Sequence, residues 1–401
     1  MIEYSEFERL SRSGDSDERG HAAHLAALAY LDHDGPADEH AALYAALIGF
    51  LDDPSVKVRA ALAYGLLHSV QAPRPIIMAL LRDSAVISRA VLQYSPVLLD
   101  ADLVGLVLCG DPSTLLAISQ REKLSARIAS ALIAQENSAL TMRILRRDDV
   151  QLDPGLLLEL AHRNGGDANM RGALLGRKDL PAPARLILVQ RITESLRQAR
   201  IVRGALAPDR LERLLRDGTD TALSAIGETE AVQARGEFFE RLVGSDELNM
   251  RILLHALVTG HVMFFAACVA ELSGVSRGKV FTLLENGSRA ALIALFSRAG
   301  LGGETGRLLV RLVFHARAAD LADDVAARHY VVTALTEELI AEYDGDIPQA
   351  LEEAFAYLSE QNIALARKAA RGVMSTFAGV ARAPMSLPPV EQSALLPLPA
   401  A

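Results

Sequence analysis

Residues 51–63, Leu-Asp-Asp-Pro-Ser-Val-Lys-Val-Arg-Ala-Ala-Leu-Ala, restrict what this chain can fold into more than any other stretch. They read as the opening of an amphipathic helix. Asp53 can accept from the free N–H groups of a first turn, and Pro54 suits the first helical position, where its missing N–H costs nothing. Val58, Ala61 and Leu62 fall at i, i+3 and i+4 on one face, while Arg59 points off that face towards the neighbouring turn. So short a helix cannot bury its apolar stripe alone. It implies helix pairs stacked in series, each burying its face against the next.

The same punctuation recurs. Asp53-Pro54, Asp83-Ser84, Asp111-Pro112 and Asp153-Pro154 each set a capping side chain before an amphipathic segment, at intervals of about 30 to 40 residues. Val56-Lys57-Val58-Arg59-Ala60, Val86-Ile87-Ser88-Arg89-Ala90 and Leu124-Ser125-Ala126-Arg127-Ile128 echo one another behind these starts. Composition favours helices: half of the residues are hydrophobic, yet only 5% are aromatic and Trp is absent, which leaves Ala and Leu to supply the apolar surface. The expected fold is therefore all-α, a HEAT-like α-solenoid (a right-handed superhelix of helix pairs) with a C-terminal helical domain. The expected division is an acidic helical cap at 1–50, HEAT-like repeats at 51–225, a helical domain at 226–345, terminal amphipathic helices at 346–382 and a disordered Pro-rich tail at 383–401.

Between residues 238 and 301, apolar segments separated by Gly260, Gly274 and Gly287 read as packed helices, each glycine placed for the left-handed conformation at a helix end. Ile252 to Leu272 is about long enough to cross a bilayer. However, His255, Thr259, Gly260 and His261 interrupt it and Glu271 ends it, so a buried helix-turn-helix hairpin is expected. A net charge of -9 opposes non-specific binding to nucleic acid, which needs Lys and Arg to displace counterions. The opening Met1 to Glu6 lacks the basic and apolar regions of an export signal. Cys109 and Cys268 read as buried, reduced residues, so a cytoplasmic location without membrane contact is expected.

Met250-Arg251-Ile252-Leu253-Leu254, Gly260 through Leu272, Val280 to Leu284 and Leu295-Phe296-Ser297-Arg298-Ala299-Gly300-Leu301 together form a helix, a Gly turn, a Phe-bearing helix and a closing Ala-Gly-Leu. With the repeats before it, this run resembles an uncharacterised, mainly alphaproteobacterial family, domain of unknown function 2336. The resemblance covers most of the chain. It implies no reaction, and no catalytic residue is carried over.

Chemistry has little footing in the sequence. His21, His24, His33 and His40 lie with Asp32 and Asp34 near the start, but they read as a polar, solvated cap, and His24 with His33-Asp34 is too tightly spaced for a phosphohydrolase of the His-Asp type. The glycines at 300–306 lack phosphate-loop spacing. His255 and His261 sit in apolar surroundings and read as hydrogen-bonded core residues. No enzyme activity, cofactor or metal is expected. The leading expectation is a non-catalytic bacterial scaffold or adaptor for protein–protein interaction. A HEAT-type nucleic-acid-binding protein and a sensor of a small anionic ligand, such as a signalling nucleotide, are the alternatives. The candidate binding residues are Arg191, Arg197, Arg200 and Arg203, read as one sector of a helix from Gln190 to Val202 whose Leu188, Ile192 and Leu196 pack inward. Only Glu194, Asp209 and Glu212 oppose the many arginines between 185 and 216. An acidic protein segment or a phosphate-bearing ligand is the expected partner.

Overall fold

The computed structural model of the chain describes residues 4–245, 248–319 and 321–380, and among them every regular element is helical. The expected tail at 383–401 lies outside the described residues. Two compact units divide the chain between Arg191 and Ile192, so residues 192–225, read from the sequence as repeats, belong to the second unit.

The first unit contains α1 (Tyr4–Ser11), α2 (Ser16–Leu31), α3 (Ala37–Leu51), α4 (Val56–Leu66), α5 (Arg74–Leu80), α6 (Ala85–Tyr94), α7 (Asp100–Cys109), α8 (Pro112–Ser119), α9 (Ala126–Ile133), α10 (Ser138–Leu145), α11 (Pro154–Asn164), α12 (Ala168–Leu175) and the first part of α13 (Ala182–Gln198). Helices α2, α4, α6, α8, α10 and α12 follow one another in one row; in another, α3 packs on α5 and α7 on α9. The core runs between the rows, with Val58, Leu62 and Leu66 of α4 and Ile76, Ile77 and Leu80 of α5 fully buried.

Two of the expected helix starts are as read. Asp111 accepts from Thr114 N at 2.8 Å and Asp153 from Leu156 N at 3.1 Å, with proline at the first position of each helix. The start at 51–63 differs. Ser55 is the N-cap of α4, Pro54 lies outside the helix, and Asp53 accepts from Arg19 Nε of α2 at 2.8 Å. Likewise Asp83, ahead of α6, accepts from Nε and Nη2 along one guanidinium edge of Arg59 of α4, at 2.6 and 2.9 Å. A carboxylate one or two residues before the cap is displaced from the first-turn N–H groups and meets an arginine of the preceding helix in the same row. The third echo, Leu124 to Ile128, leads into α9 in the other row.

A second series of arginines ties helix ends to one another. Arg121, just after α8, donates to Leu92 O and to Ser95 O (2.8 Å) at the end of α6. Arg147, after α10, donates to Ser119 O, Arg121 O and Glu122 O at 2.7–3.2 Å. Arg177, after α12, donates to Leu145 O, Arg147 O and Val150 O at 2.6–3.2 Å. Each guanidinium thus supplies donors to carbonyls that a helix end leaves unpaired, where the helix dipole also favours a cation. Cys109, expected to be buried, is exposed, because it is the last residue of α7 beside the equally exposed Leu108.

The second unit continues α13 through α14 (Arg200–Ala205), α15 (Pro208–Val232), α16 (Glu237–Gly244), α17 (Met250–Val258), α18 (Val262–Ser273), α19 (Arg277–Asn286), α20 (Arg289–Arg298), α21 (Gly303–Ala318), α22 (Val325–Glu342), a 3-10 turn at Gln349–Leu351 and α23 (Glu352–Val380). The hairpin expected within 252–272 is α17 and α18. Residues 251–258 and 264–270 are all buried, and the turn between them passes through Gly260 at φ +80°. A Cβ there would lie 2.5 Å from the backbone of Ala322, so glycine is required twice over. Gly287, expected to be left-handed, is extended at φ -65°, ψ 145°. Its reason is close approach, since a Cβ would sit 2.4 Å from Leu283 O. The arginine device recurs: Arg298 reaches Ser273 O at 2.7 Å, and Arg317 reaches Leu284 O and Leu283 O at 2.8 and 2.9 Å. Among the described residues no helix is long and apolar enough to cross a membrane.

Candidate functional site

The four candidate arginines do not share one helix sector. Arg191 belongs to the first unit, is exposed, and makes one long contact to His162 O at 3.5 Å. In the second unit α13 ends at Gln198, Ala199 is extended (φ -64°, ψ 118°), and a new helix begins at Arg200. No residue of α14 is buried, and a helical stretch without a packed face has only its weak intrinsic propensity to keep it in line. Leu188 is buried as expected, but Ile192 is half-buried and Leu196 is 40% exposed.

Arg197 is not free for a ligand. Its guanidinium takes Glu212 Oε1 at 2.9 Å and Oε2 at 3.1 Å, and Glu194 Oε2 at 2.7 Å, and these carboxylates hold it above the ordinary arginine range. Further along, Thr193 and Thr219 meet at 3.2 Å, so α13 and α15 run antiparallel as two legs joined through α14. Two of the three acids of this stretch are consumed in that clamp. Arg200, Arg203, Arg210 and Arg213 remain, all exposed and with no side-chain partner among the described residues. Arg210 and Arg213 lie on the return leg, α15, which helical spacing along residues 190–203 does not reveal.

The inner half of α15 is anchored by a buried ion network that sequence reasoning missed. Arg251 of α17 donates from Nε to Asp220 at 2.7 Å, from Nη2 to Asp217 at 2.5 Å and from Nη1 to Glu360 of α23 at 3.0 Å. Gln361 adds a contact to Asp217 at 3.2 Å, and the guanidinium carbon lies 5.1 Å from the centre of the Tyr357 ring. Three carboxylates share one cation. Burial therefore raises the Asp217 and Asp220 carboxyls despite Arg251, while Arg251, though burial pulls it down, is held up by its hydrogen bonds to Asp220 and Glu360. The one available signal was Asp217 and Asp220 at i, i+3, interrupting the apolar stripe of Leu211, Leu215 and Leu223.

Beside this network His255 is a core residue, as expected. Its Nδ1 lies 3.1 Å from Tyr357 Oη and its Nε2 3.2 Å from Thr221 Oγ1, so one ring nitrogen donates and the other accepts. Burial pushes its pKa down to about 4, with His261 and Arg251 adding to the effect. An unfolded histidine titrates near pH 6.5. As pH falls, the unfolded chain takes up this proton first, so the contribution is complete above about pH 6.5 and is lost on the way down to about 4. The melting temperature is expected to fall across that window, and His255→Gln, which can keep one donor and one acceptor, should flatten the fall. The raised Asp217 and Asp220 act in the opposite direction in both proteins, so the difference between variants carries the result. Equal slopes would assign the acid sensitivity to other groups.

The remaining sequence candidates have other surroundings. His33 and His40 stack at 5.7 Å, His40 stacks on Tyr30 at 4.5 Å, and His24 lies against Tyr64 at 5.5 Å. Among the described residues no group of three or more His, Cys, Asp or Glu is placed to hold a metal ion. His261 is half-buried with Nδ1 2.7 Å from Thr259 Oγ1, and the glycines at 300–303 form the turn from α20 to α21.

The described residues form an all-α protein. It belongs to the bacterial family described as "Uncharacterised protein conserved in bacteria (DUF2336)", which matches residues 87–345, well over half of its length. No curated protein and no solved structure matches it.

Proposed function

We propose that this chain is a non-catalytic, cytoplasmic scaffold or adaptor of HEAT-like type that captures an acidic segment of a partner protein at the end of the α13–α15 hairpin. The observation that carries this reading is the set of four exposed guanidiniums, at 200, 203, 210 and 213, without partners among the described residues of an acidic chain. Arginine presents a planar fork to carboxylate, and the clamp of Arg197 with Glu212 fixes the legs from which these forks extend. Arg197 serves the site by positioning the hairpin, and Arg191 has no part in it.

A short labelled peptide rich in Glu and Asp, titrated with the protein, tests the proposal by fluorescence anisotropy. Arg200→Glu together with Arg203→Glu should weaken binding at least about tenfold, roughly 1.4 kcal/mol. Such surface changes should leave stability within about 0.5 kcal/mol. Unchanged binding in that double variant would refute the site. Displacement of the peptide by a nucleoside triphosphate at equal concentration would favour the anionic-ligand reading.

A further inference from the structure

The hairpin end is not only basic. Ile201, the second residue of α14, is 86% exposed, more than any other large apolar side chain among the described residues. Leu196, next to Arg197 of the clamp, is 40% exposed, and Leu214, two residues beyond Glu212 of the clamp, is 51% exposed. The clamp holds the two legs together at 2.9 Å, which places Leu196 and Leu214 at the same end of the hairpin as α14. An isolated exposed leucine needs no explanation, but three large exposed apolar side chains at one end of a hairpin, set in the sequence among Arg200, Arg203, Arg210 and Arg213, give that end two chemistries.

We infer that the partner segment captured here is an acidic amphipathic helix whose apolar face rests on Leu196, Ile201 and Leu214 while its carboxylates meet the four arginines. This rests on the acidic-segment reading above and deepens it. The charge of the site selects an anionic occupant, and its composition selects among the anionic ones. Residues 192–216 contain no Trp, Tyr or Phe. A surface that stacks on unpaired bases relies on such rings, and so do the interfacial belts that seat a protein on a lipid headgroup layer. The cations of the stretch are all arginine, with no lysine between 179 and 278. Guanidinium is weakly hydrated and tolerates the partly dry contact that packing beside Ile201 would create. A helix supplies carboxylates and apolar side chains on adjoining faces, at the i, i+3, i+4 spacing that alternating Arg and apolar positions require.

Two synthetic peptides of identical composition, rich in Glu and Leu, separate the charge from the apolar face: in one the leucines follow helical spacing, in the other they are scrambled. The full chain should bind the amphipathic peptide at least about tenfold more tightly than the scrambled one. Ile201→Ser should erase that difference without weakening the scrambled peptide, and its circular dichroism should match the parent. If both peptides bind equally, or Ile201→Ser leaves the difference intact, the apolar inference is overturned while the acidic-segment reading stands. If neither binds, both are overturned. Stronger co-sedimentation of the chain with vesicles of phosphatidylcholine and phosphatidylglycerol than with phosphatidylcholine alone, lost in Ile201→Ser, would show a lipid surface as the occupant. Concentration-dependent self-association lost in Ile201→Ser would show a second copy of this chain.

Discussion

Arg251→Met is expected to destabilise the second unit by about 3–5 kcal/mol, the cost of breaking a buried ion pair by removing one partner. The reason lies in the stoichiometry of the site. Asp217, Asp220 and Glu360 converge on the guanidinium of Arg251, a residue only 8% exposed, and Asp220 is itself 7% exposed. Without the cation three carboxylates, two from α15 and one from α23, face one another. Methionine fills much of the arginine stem's volume, so the loss reports charge more than a cavity. Adding Asp220→Leu to Arg251→Met should recover a substantial part of the stability, since apolar replacement of buried ion pairs is often neutral or better. Urea melts of both variants decide it. A single variant as stable as the parent would mean that the network contributes nothing, and failure of the double variant to recover would locate the loss in packing against Tyr357.

Leu62→Ala and Arg59→Ala should both destabilise the first unit, for different reasons. Leu62 is fully buried between the rows, and its truncation is expected to cost about 2–5 kcal/mol through lost transfer energy and the cavity left behind. From sequence alone Arg59 pointed off the apolar face and promised a small effect unless paired. It is paired: the side chain is 18% exposed, grips both oxygens of Asp83 (11% exposed) and donates to Asp53 O at 2.7 Å. Its loss is expected to cost about 1.5–3 kcal/mol, the range for hydrogen bonds to charged groups. A double-mutant cycle with Asp83→Ala separates the two causes. Arg59 and Asp83 should couple by at least about 0.5 kcal/mol, and coupling near zero would reduce the contact to a surface pair.

These residues mark the boundary of what was legible. The all-helical fold, the hairpin within 252–272 and the core position of His255 follow from local pattern, because apolar spacing and glycine placement are properties of neighbouring residues. The break at Ala199 was not legible. Nothing in Gln198-Ala199-Arg200 disfavours a helix, and the interruption reflects missing packing on α14, which only the fold reveals. The pairing of Asp53 with Arg19 and of Asp83 with Arg59 was hidden in another way. An Asp before a helix looks like a cap in sequence whether its carboxylate turns to the first-turn N–H groups or to a guanidinium. The Arg251 network joins residues 31 and 109 positions apart, beyond the reach of any periodicity.

The arginines at helix ends carry a consequence for how such an array can diverge. Arg121 and, apart from its neighbouring acid, Arg147 and Arg177 all grip main-chain carbonyls, and every residue type offers a carbonyl. The contact therefore constrains the donor residue alone. Whatever side chain stands at Ser95, Glu122 or Val150, the acceptor survives its replacement. A contact between two side chains would need both to change together. One-sided fastening lets successive helix pairs drift apart in sequence while their ends stay in register, so a regular architecture is compatible with the faint echoes at 56–60, 86–90 and 124–128. In chains built this way, an Arg just past successive helices of one row, as after α8, α10 and α12, would persist more surely than the apolar residues within them.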